Sequence, residues 1–580
     1  MRTPVSDGAR HGWVALGTSG ERVHAVVLDA AGVTLERVEL SAADFPGWAI
    51  ERESTSAPRW VWNDTPRWYP RLLRAGLQVS RCHDLRLSHL VLAASDLVVD
   101  AAALRAASRW HAPPYEAVVP RQPALFDWDS DTARDELPAD VDETVAEFAR
   151  QQAAITQSTD PNRLRLLTAA ESAGALVASE LHVAGLPWSR EAHEQILHDS
   201  LGTRDTTTGI PTQIFQLRQQ IGELLGDSSV SLDSQPKLIR ALHRAGVLVE
   251  STSRWELAEQ QHPVIAPLLE YKKLTRLLSA NGWAWLDEWV HDERFRPVYV
   301  PSGVVTGRWA SSGGGALQIP RQLRSAVHAD PGWKLVVADV AQLEPRVLAA
   351  MAADTNLADA AFGRDLYAGI VNSGTIASRS EAKIAMLGAM YGATSGESGR
   401  LVPRLRRSYP RAMALVDSAA QTGENGGTVR TWLGRTCPPP SVDWQLAQAQ
   451  ASDSTASEAE VARARRLARD RGRFTRNYIV QGTAAEWALA WLGDLRSRLA
   501  RLPPAPATER ATASGTVFGR QAHLAFFLHD EVIVHAHESQ AAAAAEAVRA
   551  AAEAAGRLLF GEFRVDFPLD VSIADSAAKE

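Results

Sequence analysis

The stretch HLAFFLHDEVIVHAH (523–537) constrains the fold most. Two apolar runs, each of strand length, are separated only by a His and two acids, Asp530 and Glu531. Short apolar runs of this kind read as buried β-strands, and so brief a separation makes them neighbours in a hairpin. Hairpin turns usually carry Asn-Gly or Asp-Gly, and this one has no glycine. A solvated polar tip is one reading, since turns favour Asp. The other is a carboxylate held on rigid strands to bind a cation, and that reading needs a partner acid elsewhere.

The chain has 580 residues, 45% hydrophobic and 22% charged. It is too long for one core, so at least two domains are expected. Its two cysteines, Cys82 and Cys437, lack CxxC spacing, which argues against a zinc site or a disulfide framework. The N-terminal residues lack the apolar segment of a signal peptide, and no apolar run is long enough to span a membrane. A cytoplasmic location is therefore expected. The net charge of −7 disfavours a polyanionic partner by itself. Distribution matters more than the sum, and RLVPRLRRSYPR (400–411) and RARRLARDRGRFTR (463–476) are locally very basic.

Residues 11–150 mix strand-like pieces with short helical ones and suggest a small α/β domain, closed by an acidic, turn-rich stretch at 122–143. From about 160 to 300 the periodicity is mainly helical. Beyond 300 come apolar strands and long helices, with two low-complexity segments (447–462 and 502–515) expected as mobile loops. The Ala-rich stretch 539–559 is expected to be a structural helix.

KLVVADVAQLEPRVLAAMAAD (334–354) supplies a candidate partner acid. KLVVA reads as a buried strand ending in Asp339, and QLEPRVLAAMAA as a helix with Pro345 tolerable only near its first turn. Strand-ending aspartates are also common helix caps. A third stretch, ASRSEAKIAMLGAMYGA (377–393), places Arg379, Lys383, Leu387 and Tyr391 at steps of four, and so along one helix face. Two cations a turn apart suit a polyphosphate, and the ring suits a base or sugar. The bland reading is an amphipathic helix with two solvated cations.

Together these segments resemble the family A DNA polymerases. The family's motif A, DYSQIELR, appears as DVAQLEPR (339–346). Its motif B, R-x3-K-x3-F-x3-YG, appears as Arg379, Lys383, Leu387, Tyr391 and Gly392. Its motif C, VHDE, appears as LHDE (528–531). TGRWASSGGGALQIP (306–320), TWLGRTCPPP (431–440), RFTRNYIVQGTAAE (473–486) and the thumb-like HPVIAPLLEYKKLTRLLSANG (262–282) match further family segments in the same order.

The resemblance implies a multi-domain α/β chain. Its polymerase part is a right hand with an antiparallel palm sheet, helical fingers (about 355–430) and a helical thumb. An N-terminal ribonuclease-H-like α/β domain of exonuclease type precedes it. The expected divisions are 1–150, 151–300 and 301–580. It also implies two Mg2+ ions, replaceable by Mn2+, held by Asp339, Asp530 and the carbonyl of Val340, with Glu531 in support. Arg379 and Lys383 would grip the triphosphate of the incoming nucleotide, Lys383 also serving as proton donor to the leaving group. Gln342, Tyr367, Leu387 and Tyr391 would adjoin that nucleotide, and Glu344 would exclude a ribose 2′-hydroxyl. Arg308, Arg346, Arg473, Asn477, Gln481 and His529 would meet the DNA, where minor-groove contacts check pair geometry without reading sequence. The implied partners are primer-template DNA and deoxynucleoside triphosphates, with the chain a monomer away from membranes.

Several positions depart from the family pattern. Leu387 replaces the motif B aromatic, Tyr367 stands where a phosphate-contacting His is common, and Val340-Ala341 replaces Tyr-Ser. In the N-terminal domain the first strand carries Gly17 and Thr18 where an acid is expected, and Phe148 has no Asp four residues later. A scaffold without proofreading activity is therefore expected, and no sequence is left over for a 5′-nuclease domain. Two alternatives stay open: a DNA-binding protein with the polymerase shape but no catalysis, and a 3′→5′ exonuclease acting through Asp64 and Asp84.

Overall fold

The computed structural model describes residues 12–112, 137–205, 209–315, 317, 319–392 and 396–578. The chain divides into two compact units. The first runs to Gly185 and resumes over Val298–Gly313 and Pro331–Ala574; the second comprises Leu186–Pro297, Gly314–Asp330 and the residues from Asp575.

The first unit opens with a five-stranded sheet of β1 (Trp13–Ser19), β2 (Arg22–Leu28), β3 (Thr34–Ser41), β4 (Arg59–Trp62) and β5 (Arg81–Asp84). The strand order is β3-β2-β1-β4-β5. The first three strands form an antiparallel meander, whereas β4 and β5 run parallel to β1. Successive side chains point to opposite faces. Val14, Leu16, Trp60 and Trp62 accordingly join one core, while Ala15 and Val61 join another. Phe148 of α2 (Val141–Thr156) and Leu85 of α1 (Leu85–Ala94) fill that second core; α3 (Pro161–Ala184) sends Leu176 and Ala184 into the first. This topology matches the ribonuclease-H-like expectation. Of the acidic stretch, residues 122–136 lie outside the described residues. Its end enters α2, where the Asp140 side chain caps the first turn.

The first unit's opening segment runs on past residue 150 to Gly185. α3 starts on an Asp160 cap followed by Pro161 and is buried around most of its circumference. A helix with no consistently polar side belongs inside a core. The second unit carries the helical pattern read for the stretch up to 300, including helices Arg190–Leu201, Thr212–Leu225, Gln235–Arg244 and Ile265–Asn281. Trp188, His193, Trp285 and Phe295 cluster at its centre, and a buried Arg294 pairs with Asp330 at 2.5 Å.

The remainder of the first unit is built on a four-stranded antiparallel sheet. β6 (Trp333–Val340), β7 (His523–Leu528), β8 (Glu531–His537) and β9 (Leu569–Ala574) take the order β7-β8-β6-β9. Helices α4 (Leu343–Met351), α5 (Leu366–Asn372), α6 (Arg379–Tyr391) and α7 (Pro410–Glu424) follow β6. Met386, Met390, Leu405, Tyr409 and Met413 form a core there, together with Ile479 and Val480 of the 42-residue helix α9 (Glu458–Leu499). The first low-complexity segment is not the loop expected, whereas residues 502–511 of the second carry no helix or strand. Residues 447–462 are largely helical, lying in α8 (Val442–Ala451) and the start of α9, which opens on a Ser457/Glu460 capping box. Residues 502–515 are tied down by Gln540 donating to the Pro503 carbonyl and by Ala505 and Arg520 pairing main chains. The Ala-rich stretch is the helix expected, α10 (Glu538–Phe560).

Glu486 lies fully inside α9's packing, where its carboxylate accepts from Thr431 Oγ1 and from the Leu433 N–H at 2.9 Å. Burial pushes it up to about 7, against the pull of those two donors and of Arg435. Between its ordinary value of 4.5 and about 7, the folded chain holds a proton that the unfolded chain has released. Stability therefore falls as pH rises through that window, by on the order of 1–3 kcal/mol. Glu486→Gln removes the titration, so thermal melts from about pH 5 to pH 8 should show a flatter profile and a variant at least as stable as the parent at the upper end. An unchanged slope would count against this account.

Candidate active site at the carboxylate hairpin

The β7–β8 turn is only two residues long, His529 and Asp530, and β8 begins at Glu531. His529 takes a left-handed conformation (φ 54°), and the Asp530 N–H donates to the Leu528 carbonyl at 2.6 Å. Left-handed backbone at a residue other than glycine costs about 1–3 kcal/mol. The strain sits where the sequence lacks the usual turn glycine. β6 lies beside β8 with Asp339 opposite Glu531, and the Val340 N–H donates to the Asp530 carbonyl at 2.9 Å. Directly opposed residues in such a ladder have Cα atoms about 4.5–5.5 Å apart. The two aspartates named from sequence thus meet at one end of one sheet. Asp570 of β9 faces Asp339 from the other side; the sequence offered no signal for it beyond its place in a strand.

Burial and the neighbouring Asp339 push Asp530 up to about 6. Two carboxylates crowded at low solvation are what a bound cation relieves. Among the described residues no group of three or more His, Cys, Asp or Glu is placed to hold a metal. Two carboxylates with nearby main-chain oxygen suit Mg2+, which usually takes one or two carboxylates and completes its shell with water and phosphate.

A cavity of about 230 Å³ opens beside Asp530, lined among others by Arg308, Glu344, Tyr367, Leu387, Tyr391 and His529. Glu344 is its hub: one carboxylate oxygen accepts from Arg308, the other from Tyr391 Oη at 2.6 Å. Burial lowers His529, with the Arg308 charge adding to the effect. The α6 stripe is formed as the spacing indicated. Arg379 and Lys383 are exposed, Leu387 is half-buried, and Gly392 closes the helix in a left-handed cap. Arg379 is held by Asp365, which accepts from its Nε at 3.2 Å and its Nη2 at 2.7 Å. The Arg379 guanidinium lies 5.7 Å from the centre of the buried Tyr367 ring. Burial, with Asp365 and Glu344 nearby, pushes the Tyr367 phenol up to about 12, so it stays protonated.

Asp365 was missed in the sequence reading. It caps α5 through the Ala368 N–H and also accepts from Gln342 Nε2 at 3.0 Å. Its position one residue ahead of an apolar helical run was the available signal. Gln342 sits at φ 50° at the start of α4 and takes the Leu366 N–H at 3.2 Å, so it links β6 to α5. On α9, Arg473 is exposed and paired with Asp470, Gln481 accepts from Thr306 Oγ1 at 3.1 Å, and Asn477 Oδ1 is buried with no partner.

Arg346 is a correction. Expected at the DNA, it is fully buried. Its guanidinium is consumed by Asp566 Oδ1 at 2.6 Å and by the carbonyls of Ala341, Ala361 and Arg364. It braces α4 against the segment leading into β9 and presents no surface to a ligand.

In the N-terminal sheet the positions that would carry a nuclease centre are otherwise employed. A Cβ at Gly17 would lie 2.3 Å from the Val141 main-chain nitrogen, so no side chain fits there. Asp84 accepts from the Leu87 N–H and from both donors of Thr65, and Asp64 pairs with Arg86 at 3.0 Å; both acids are fully buried.

The sheet order thus sets Asp339 and Asp530 beside a cavity to which α6 contributes Leu387 and Tyr391. Residues 203–579 match the family model for DNA polymerase family A, and the chain belongs to that family. It is 25% identical over 404 residues to the thermostable DNA polymerase I of Thermus thermophilus, covering 63% of this chain and 43% of that protein. It is 26% identical over 360 residues to DNA polymerase I of Chloroflexus aurantiacus, covering 57% and 34%. The chain thus spans less than half the length of these curated relatives. The fold is similar to that of the POL domain of Pol1 from M. smegmatis, in complex with DNA primer-template and dNTP. The TM-score is 0.66 at 16% identity, covering 98% of this chain and 95% of that one. Among the described residues no helix is long and apolar enough to cross a membrane.

Because Arg346 is a buried brace, Arg346→Met should lower unfolding stability by about 3–5 kcal/mol, leaving the Asp566 carboxylate and several carbonyls unpaired. DNA affinity of the folded fraction should not change. A stable variant with weakened DNA binding would restore the sequence-based assignment.

Proposed function

We propose that the chain is a DNA-templated DNA polymerase that adds deoxynucleotides to a primer 3′ end. The observation that carries this reading is the β6–β8 register, which sets Asp339 beside Asp530 next to the cavity that Arg308, Glu344 and Tyr391 enclose. Asp339, Asp530 and the Val340 carbonyl would hold two Mg2+ ions, with Glu531 in support. Bound there, such ions would supply charge neutralisation for the attacking and leaving oxygens of an in-line displacement.

The chain's own part is positioning, which is most of what phosphoryl transfer requires. Arg379 and Lys383 project one turn apart from α6 to meet a triphosphate, and Lys383 can deliver a proton to the departing pyrophosphate. Arg379 must exchange Asp365 for phosphate when the nucleotide enters. Glu344, fixed by Arg308 and Tyr391, closes the space a ribose 2′-hydroxyl would need. Tyr391 and Tyr367 furnish the rings near the nucleotide, where Leu387 offers only an aliphatic wall. Arg308, Arg473, Asn477, Gln481 and His529 are the candidates for primer-template contact. Gly17, Asp64 and Asp84 support an exonuclease-type domain with no hydrolytic centre, one that leaves errors unexcised. The non-catalytic alternative gains nothing from a pair of crowded acids whose mutual repulsion a structural role would not retain.

Primer extension with Mg2+ tests the proposal. Asp530→Asn should lower the extension rate by on the order of 10³-fold or more with DNA affinity nearly intact; normal extension by this variant would refute the assignment. Glu344→Ala should raise the ribo-to-deoxyribonucleotide incorporation ratio about tenfold or more, since a filled volume becomes open. An unchanged ratio would remove Glu344 from that role.

A further inference from the structure

β7 is an edge strand of the four-stranded sheet, and it leads directly into the turn that carries Asp530. An edge strand has main-chain N–H and C=O groups without a ladder partner. In an antiparallel pair, successive residues turn these groups alternately toward and away from the neighbouring strand. The Leu528 carbonyl faces into the hairpin, where it accepts from the Asp530 N–H at 2.6 Å. Phe527, one residue earlier, therefore turns its groups outward. One side chain takes both: Tyr299 Oη donates to the Phe527 carbonyl at 2.9 Å and accepts from the Phe527 N–H at 3.2 Å. The phenol stands in for a missing strand at a single residue.

Two features give that residue weight. The β7–β8 register shifts between Leu524 and Phe526, so a bulge separates the last three pairs, Phe526–Ile533 to Leu528–Glu531, from the start of the ladder. Bulges bend a strand and disrupt its pairing locally. Beyond these pairs comes the left-handed His529. The end of β7 thus lies between a bulge and a strained turn, and the clasp at Phe527 is three residues from Asp530.

The second feature is where Tyr299 comes from. It lies in a two-stranded ribbon, Val298–Val300 paired with Ala310–Gly313, opposite Ser311. The link between those strands carries Arg308, the partner of Glu344. The ring of Trp309, the next residue, lies 5.3 Å from that of Tyr299 and 4.9 Å from that of Phe527, and all three are buried. The hydroxyl that holds β7 therefore holds it to the ribbon bearing Arg308. Phenylalanine would fill the same space; the hydroxyl adds only the two bonds to Phe527. Tyr299 is not among the residues lining the cavity, whereas Trp309 and Phe527 are.

We propose that Tyr299 is a positioning residue for polymerisation, clamping the end of β7 so that Asp530 keeps its place relative to Arg308 and Glu344. The inference rests on the reading of Asp530 as a metal-holding carboxylate. It goes beyond that reading by assigning the fixed position of the acid to a side chain outside the site.

Hydrogen exchange and single-turnover primer extension on the full chain test it through Tyr299→Phe, with a melting curve to verify the fold. In the metal-free chain, exchange across 524–531 should quicken about three- to tenfold when the bonds to Phe527 are lost, while peptides of β6 exchange as in the parent. The extension rate with Mg2+ should fall about tenfold, with DNA affinity as in the parent. Because Tyr299 acts through Asp530, adding Tyr299→Phe to Asp530→Asn should slow the residual rate no further, where independent effects would multiply. Parent-like exchange across 524–531, parent-like extension, or a full multiplicative loss on the Asp530→Asn background would each overturn the inference. Normal extension by Asp530→Asn alone would remove the metal assignment, and this inference with it.

Discussion

The antiparallel ladder between β6 and β8 is the constraint on which the site rests. It places Asp339 opposite Glu531 and gives the Val340 N–H to the Asp530 carbonyl. Like charges do not gather on their own. Here seven registered residue pairs, Trp333–His537 through Asp339–Glu531, are buried on apolar neighbours and over-determine the position of the last pair. Slippage by one residue would turn every side chain to the wrong face, so the core itself keeps the carboxylates together. What the ladder cannot remove is their repulsion, which shows as an Asp530 that burial and Asp339 raise to about 6.

The cations around this pair are handled in the opposite way. Arg308 is paired with Glu344, Arg379 with Asp365 and Arg473 with Asp470. Lys383, one turn beyond Arg379, is exposed with no carboxylate partner among the described residues. The resting site is thus close to locally neutral on its cationic side and overcharged on its anionic side. A triphosphate accompanied by divalent ions matches both conditions at once. It offers phosphate oxygens in exchange for Asp365 and brings the positive charge that Asp339 and Asp530 lack. Exposed ion pairs are individually weak, which makes the Asp365–Arg379 exchange inexpensive.

Much of this was legible because the chemistry dictates short-range patterns. LHDE between two apolar runs, an acid ending KLVVA, and steps of four along ASRSEAKIAMLGAMY are local signals, and the fold keeps all three. What escaped were facts of burial. Arg346 stands in LEPRVLAAM like any helical arginine, and only its neighbours Val347, Leu348 and Ala349, all buried, hint that its face turns inward. The segment 447–462 read as a loop because Ser, Ala and Gln are compositionally simple. Ala, Gln and Glu are also good helix formers, and Ser457 with Glu460 forms a capping box that was visible in the letters. The continuation of the first unit to Gly185 left little mark in the letters, because α3 is amphipathic only weakly and its burial depends on what surrounds it rather than on its own period.

The N-terminal sheet is tied to the rest of the first unit by buried ion pairs. Arg496 of α9 donates to Glu180 of α3 at 2.8 Å, to Tyr69 Oη at 3.1 Å and to the carbonyls of Val79 and Ser80. Tyr69 Oη in turn donates to Glu180 at 2.5 Å. Arg435 reaches Glu171 of α3 at 2.5 Å while lying against Gly307, the residue before Arg308. These are buried charges that cannot lose one partner without stranding the other. The helix that carries Arg473, Asn477 and Gln481 is therefore clamped to α3 through Arg496 in its last turn, and Arg435, ahead of that helix, makes a second buried pair with α3. Loss of Glu180 or Glu171 would strand Arg496 or Arg435 in the core.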